Sequence, residues 1–274
     1  RSVSRGLGDV YKRQVAALGA SMAFGFAACG GNTTTTITVN GSSSVTPVME
    51  VLAAAYEEQH SDIRIDVNQT DSGAGVTAVI DGTADIGMAS RALKDDEISQ
   101  GVEGQTMCND GIALVTGVGC TATNITTEEV KALYTELTPA CDGAITGAVG
   151  RGAGSGTRSF FDEHFEISAY NSDVSTQQET GDVVSTLTGT TSILGYISYA
   201  SLAPNANAVK AISLDGVECT IENIVSGDYK LQRPFVIVTS SETELSEAAQ
   251  GFYDFLFSEE AQEIITAEGC ISIR

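Results

Sequence analysis

The sequence has no tryptophan, two histidines, and 14 basic side chains against 36 acidic ones, for a formal charge of −22. Each scarcity excludes a class of function. A shortage of Lys and Arg argues against binding nucleic-acid backbones or anionic lipid surfaces, because both attractions depend on clustered cations. His60 and His164 have no neighbouring ligand cluster, and no two of the six cysteines stand in C-x-x-C spacing, so no metal site is expected. Ser155 lacks the G-x-S-x-G frame, since Ala153 and Thr157 occupy the glycine positions. There is no G-x-x-x-x-G-K-[ST] loop, and the glycines of 150–156 miss G-x-G-x-x-G spacing. Neither histidine is placed to activate a nucleophile. No catalytic residues and no cofactor are expected, and the chain reads as a non-enzyme.

What remains describes a globular protein. Hydrophobic residues make up 42% of the chain and charged ones 18%, which is unlike a disordered acidic tail. The 29 glycines indicate many turns, with function on backbone-lined loops. The length suits one large domain or two small ones.

The chain also lacks a long apolar run. After Lys12-Arg13, the run Val15–Ala28 is 14 residues, whereas a spanning helix needs about 20. It reads as the core of a signal peptide over residues 1–28. Phe26-Ala27-Ala28-Cys29 resembles the bacterial lipobox, which implies removal of residues 1–28, lipidation of Cys29 and a tether over 29–36. Phe26 stands where that pattern usually has Leu; the alternative is a secreted chain cleaved nearby with a free Cys29. Without residues 1–28 the chain carries 10 basic and 35 acidic residues, a net of −25. Lipidation would leave five cysteines, Cys108, Cys120, Cys141, Cys219 and Cys270, so their pairing cannot be complete.

Strands alternate with helices along the remainder. Ile37–Asn40, Ile63–Val67, Asp85–Ala89 and Ile112–Thr116 read as strands, and Val48, Val51, Leu52, Ala55 and Tyr56 have helical spacing. Pro47 suits a first helical turn with Thr46 as its N-cap. The alternation predicts parallel sheets covered by helices. Three Ser/Gly turns, at 41–47, 71–75 and 152–158, lead into helices. A helix start presents unpaired N–H groups and a partial positive charge, glycine permits close approach, and Ser or Thr adds a donor. Such turns suit an anion. Arg151 and Arg158 flank the third turn and Arg91 follows the second, all drawn from a small pool of cations.

The motifs Gly41–Met49, Asp71–Gly75, Asp85–Arg91, Asp110–Ala113, Gly154–Arg158, Gly195–Ser198, Asp215–Glu218 and Arg233–Phe235 occur in order over 37–274. Together they resemble the phosphate-binding lipoproteins of bacterial phosphate ABC transporters. The resemblance implies an α/β, two-lobed periplasmic-binding-protein fold of type II, each lobe a sheet flanked by helices, with phosphate in the cleft. Lobe 1 would combine 37–108 with the return segment 233–274, and lobe 2 would hold 109–232. Carried over by position, Ser44 and Thr46 belong to the first anion turn, Ser72 to the second, and Ser90 and Arg91 close the strand after it. Arg151, Ser155, Gly156 and Thr157 form the turn of the second lobe. Asp110 would accept a hydrogen bond from a protonated phosphate, which sulfate cannot donate; the alternative is a turn aspartate in Asn109-Asp110-Gly111.

That family usually has an acidic residue just after the arginine equivalent to Arg151, where this chain has Gly152-Ala153. The implied partners are inorganic phosphate and the permease subunits of an ABC transporter, with the membrane reached only through the lipid anchor. The implied protein is a monomer on the outer face of the bacterial cell membrane. A different oxyanion such as sulfate or molybdate, or a sensing or phosphatase-like relative, is the alternative reading.

Overall fold

The structure, a computed structural model, describes residues 34–274. The expected signal peptide, Cys29 and the first part of the tether lie outside the described residues. Among the described residues no helix is long and apolar enough to cross a membrane.

The first half runs β1 (Thr35–Ser42), α1 (Thr46–Gln59), β2 (Ile63–Thr70), α2 (Ser72–Ile80), β3 (Ile86–Ala89), α3 (Asp95–Ile98) and β4 (Val102–Gly117). Next come β5 (Asn124–Ile125), α4 (Thr127–Glu136), β6 (Gly147–Arg151), α5 (Gly156–His164), β7 (Ser175–Gln177), α6 (Thr180–Leu187) and β8 (Ile193–Ser198). The chain closes with β9 (Val209–Ala211), β10 (Ser213–Leu214), α7 (Ile221–Ser226), β11 (Gln232–Ser240), α8 (Glu247–Leu256), α9 (Glu259–Ala267) and β12 (Ile271–Ser272).

The main sheet is mixed, where the sequence had suggested parallel sheets. Its order is β2-β1-β3-β11-β4-β8-β6-β7, with β9 and β12 also on β4. β1 pairs in parallel with β2 and β3, and β6 does so with β7 and β8. The antiparallel pairs come from the two long strands: β11 runs against β3 and β4, and β4 runs against β8 and β9. β4 continues well past the expected Ile112–Thr116, pairing with β11 through Gly111 and with β8 from Ile112. It therefore passes from one packing environment to another within a single strand.

Those environments are two hydrophobic cores. One gathers side chains between Ile37 and Cys108 with others between Phe235 and Cys270, among them Leu52, Met88, Ile237 and Phe252. The buried side chains of the other all come from 112–231, including Leu114, Leu133, Phe161, Leu187 and Tyr196, with Ile271 packed against them. Period-2 alternation lets β11 serve two faces: Phe235 and Ile237 enter the first core, whereas Val236 and Val238 pack with Val76 and Val79 of α2. On α1 the buried face is Val48, Met49, Leu52, Ala53 and Tyr56, rotated from the expected one, so that Val51 points outward.

The helix starts follow local chemistry. Asp71 caps α2 by accepting from the Ala74 N–H, Ser155 caps α5 by accepting from Arg158, and Thr126 forms a capping box with Glu129 at α4. α1 departs from expectation. Thr46 is inside the helix with Val45 at the N-cap, and its hydroxyl bonds back to the Ser42 carbonyl.

Candidate anion-binding site

The starts of four helices of at least eight residues, α1, α2, α5 and α6, meet between the two cores. The Ser44 hydroxyl at α1 lies 3.0 Å from the Thr157 hydroxyl at α5, and the Ser43 hydroxyl lies 3.3 Å from that of Thr180 at α6. Ser72, opening α2, accepts from the Ser90 N–H at 3.1 Å, and Ser42 donates to the Ser90 hydroxyl at 2.9 Å. The Gly73 N–H donates to the Gly154 carbonyl at 3.1 Å, closing the second turn onto the third. All these hydroxyls are buried.

Glycine is required where the turns touch. A Cβ on Gly156 would stand 2.4 Å from the Ser72 hydroxyl and 2.9 Å from that of Ser90. A Cβ on Gly154 would meet the Asp71 carboxylate at 2.3 Å.

Arg151 ends β6 against this cluster at 2% exposure. Its Nη2 donates to the Ser43 hydroxyl at 2.9 Å and the Gln178 carbonyl at 2.7 Å, and its Nη1 donates to Thr180 at 3.2 Å. Its Nε is buried without a partner, and among the described residues no carboxylate forms an ion pair with it. Burial pushes the guanidinium down to about 10 from its ordinary 12.5. Where the resembled family carries an acidic residue, Gly152 leaves room that the Gln178 amide occupies, 2.7 Å from where a Cβ would stand. The site thus offers hydroxyl and N–H donors together with one desolvated positive charge that, among the described residues, Asp71 and Glu179 offset only at a distance and no carboxylate pairs with. A small oxyanion supplies what this arrangement lacks.

Most of the residues singled out from sequence come together here: Ser44, Ser72, Ser90, Arg151, Gly156 and Thr157. Ser155 sits beside them with its hydroxyl used as the α5 cap. Three others are turned elsewhere. The Thr46 hydroxyl faces the backbone, as described. Arg91 directs Nη1 and Nη2 to Glu97 at 2.8 and 2.6 Å and Nη1 to the Ala92 carbonyl at 2.9 Å. Asp110, expected to accept a hydrogen bond from a protonated phosphate, gives Oδ2 to Arg233 at 3.0 Å and Oδ1 to the Ala200 N–H at 3.3 Å. Burial raises the Asp110 carboxyl, against the pull of Arg233. Arg158 likewise pairs with Asp162 at 3.1 Å and stacks over the Tyr170 ring.

Sequence reasoning did not place Ser43, Thr180 or Arg233 in the site. Arg233 is fully buried, and its Nη1 donates to the Thr157 hydroxyl at 2.5 Å. The available signal was its position in Arg233-Pro-Phe, as one of few cations and beside Pro234 at the head of a strand.

Such a site, set between two α/β cores joined by long strands, is that of a solute-binding protein of the periplasmic-binding-protein type II fold. The chain belongs to the PBP superfamily, whose domain model matches residues 27–260. A crystal structure of a phosphate ABC transporter substrate-binding protein with bound phosphate from Clostridium perfringens superposes with a TM-score of 0.82 and 34% identity, covering 88% of this chain and 100% of that one. The Streptococcus agalactiae phosphate-binding protein PstS 2 is 42% identical over 102 residues, which is 37% of this chain; the match spans only 35% of that relative's length. The Bacillus subtilis phosphate-binding protein PstS is 27% identical over 251 residues, 86% of this chain and 80% of that protein.

Proposed function

We propose that this protein binds inorganic phosphate outside the cytoplasm and delivers it to the permease of an ABC transporter, without catalysing a reaction. The observation that carries the reading is Arg151, a buried guanidinium with no carboxylate partner among the described residues, ringed by hydroxyls. The phosphate-binding names of the relatives and the phosphate-bound neighbour support the same ligand. In this reading the lobes are 37–108 with 233–274, and 109–232, and they close by hinge motion about the ligand. Cys29 carries the lipid anchor after removal of 1–28, and the molecule acts as a monomer.

Ser43, Ser44, Ser72, Ser90, Arg151, Thr157 and Thr180, with the N–H groups of Gly156 and its neighbours, then make the phosphate shell. Charge-assisted hydrogen bonds contribute about 1.5–3 kcal/mol each, and micromolar affinity requires about 8 kcal/mol, so a few good contacts suffice. Titration calorimetry tests the proposal. Phosphate is expected to bind with a stoichiometry of one and to remain bound in excess sulfate. No heat with phosphate, or displacement by equimolar sulfate or molybdate, would overturn it.

A further inference from the structure

Arg233 and Asp110 are register partners on β11 and β4, and their side chains form an ion pair with no exposure. Both residues fall in the interval where the chain passes between the cores, between Cys108 and Ile112 on β4 and between Leu231, just before β11, and Phe235 on it. Arg233 holds Asp110 with Nε and Nη2, at 3.3 and 3.0 Å. Its Nη1 reaches away from the pair to the Thr157 hydroxyl at 2.5 Å and the Ser90 carbonyl at 3.4 Å. Thr157 opens α5 over the second core, whereas Ser90 follows β3 beside the first.

We infer that Arg233 is a positioning residue of the anion site, acting through Thr157 and joining the two halves of the site when they are closed. A guanidinium has donors and no acceptor. At the Arg233–Thr157 contact the hydroxyl oxygen must therefore accept, which leaves its single proton for Ser44 or for a bound anion. Asp110 fixes the fork and the Ala200 N–H fixes Asp110, so the Thr157 proton is turned away from Arg233 before any ligand arrives. One nitrogen also spans Thr157 and Ser90, groups beside elements that pack into different cores, Phe161 of α5 into one and Met88 of β3 into the other. Rotation of one core against the other would part them, so this contact favours the closed arrangement. Asp110 then serves the anion at one remove, by holding the arginine that orients the donor.

The inference rests on the phosphate reading, and a double-mutant cycle separates the two. Arg233→Lys keeps a positive charge beside Asp110 but loses the fork that reaches Asp110, Thr157 and Ser90 together. Thr157→Val removes the hydroxyl at nearly constant shape. Phosphate titrations should show Arg233→Lys weakening binding about tenfold in the parent and less than about twofold in the Thr157→Val background, because contacting residues couple. Independent, multiplicative losses would show that Arg233 does not act through Thr157 and would overturn the inference. Thermal melts confirm folding. Should Arg233→Lys not fold, the neutral pair Arg233→Gln/Asp110→Asn replaces it in the cycle with the same two outcomes. A parent that binds no phosphate would overturn the function and this inference together, whereas a binding parent with independent losses removes the inference alone.

Discussion

Arg151 and Arg233 flank the same hydroxyl cluster, are almost equally buried and are held in opposite ways. Arg233 has a carboxylate in register on the neighbouring strand, so its charge is offset whether or not a ligand is present. Arg151 has hydroxyls, one carbonyl and an unpartnered Nε, so its charge awaits an offset. Burying a guanidinium without an anion is unfavourable, and a fold retains such a group where ligand binding repays the cost. The paired arginine thus belongs to the frame and the unpaired one to the ligand. The same logic explains how a protein of net charge −22 can hold an anion. Long-range attraction works against capture, so recognition must be local, through short contacts inside a desolvated cleft that salt screens weakly.

Removing each charge breaks this comparison in a different direction. Arg233→Met leaves Asp110 buried and unpaired and should destabilise the ligand-free protein by about 3–5 kcal/mol in urea unfolding. Adding Asp110→Leu should recover most of that loss, because the orphaned charge leaves with its partner. Arg151→Met should instead leave ligand-free stability unchanged or raise it, since no carboxylate is orphaned. Its effect belongs to binding: phosphate affinity should fall by at least about a hundredfold, the loss of two charge-assisted hydrogen bonds. If Arg151→Met destabilised the fold as much as Arg233→Met, the division between frame and ligand would fail.

The parts of this site that were legible in the sequence are those encoded locally. Ser/Gly turns ahead of helices advertise themselves, because the N-cap residue and the residues whose N–H groups it leaves free are neighbours in the chain. Gly41–Pro47, Asp71–Gly75 and Gly152–Arg158 all proved to be helix entries that meet. The pairing of the arginines was not legible. Whether a guanidinium serves a ligand or a carboxylate depends on residues far away: Asp110 and Arg233 are 123 positions apart and meet only through antiparallel register. The mixed sheet escaped notice for the same reason, since β11 inserts between β3 and β4 after the second core has been completed. Thr180, 29 positions beyond Arg151, lies at a helix start without the Ser/Gly signature that marks the other three.

Arg91 extends the comparison to a third arginine with a local partner, six residues along the chain, and there the expected effect is smallest. Glu97 receives both terminal nitrogens of Arg91 and the Lys94 N–H. Burial works to raise its carboxyl, but the hydrogen bond from Arg91 and the one from Lys94 prevail, so it lies below its ordinary value of 4.5. A carboxylate lowered on folding contributes stability that is complete above the unfolded value and is lost as pH falls through the lower, folded value. Glu97→Gln should therefore cost about 1 kcal/mol at neutral pH, the scale of a partly exposed ion pair with good geometry. The difference from the parent should shrink as pH drops below that ordinary value of 4.5. Phosphate affinity should change little, since Nη1 of Arg91 keeps the Ala92 carbonyl and its Nε, buried without a partner, is untouched by the substitution. A Glu97→Gln protein that bound phosphate distinctly more tightly would instead show that Arg91, once released, turns to the anion, and the frame would then extend only to Arg233.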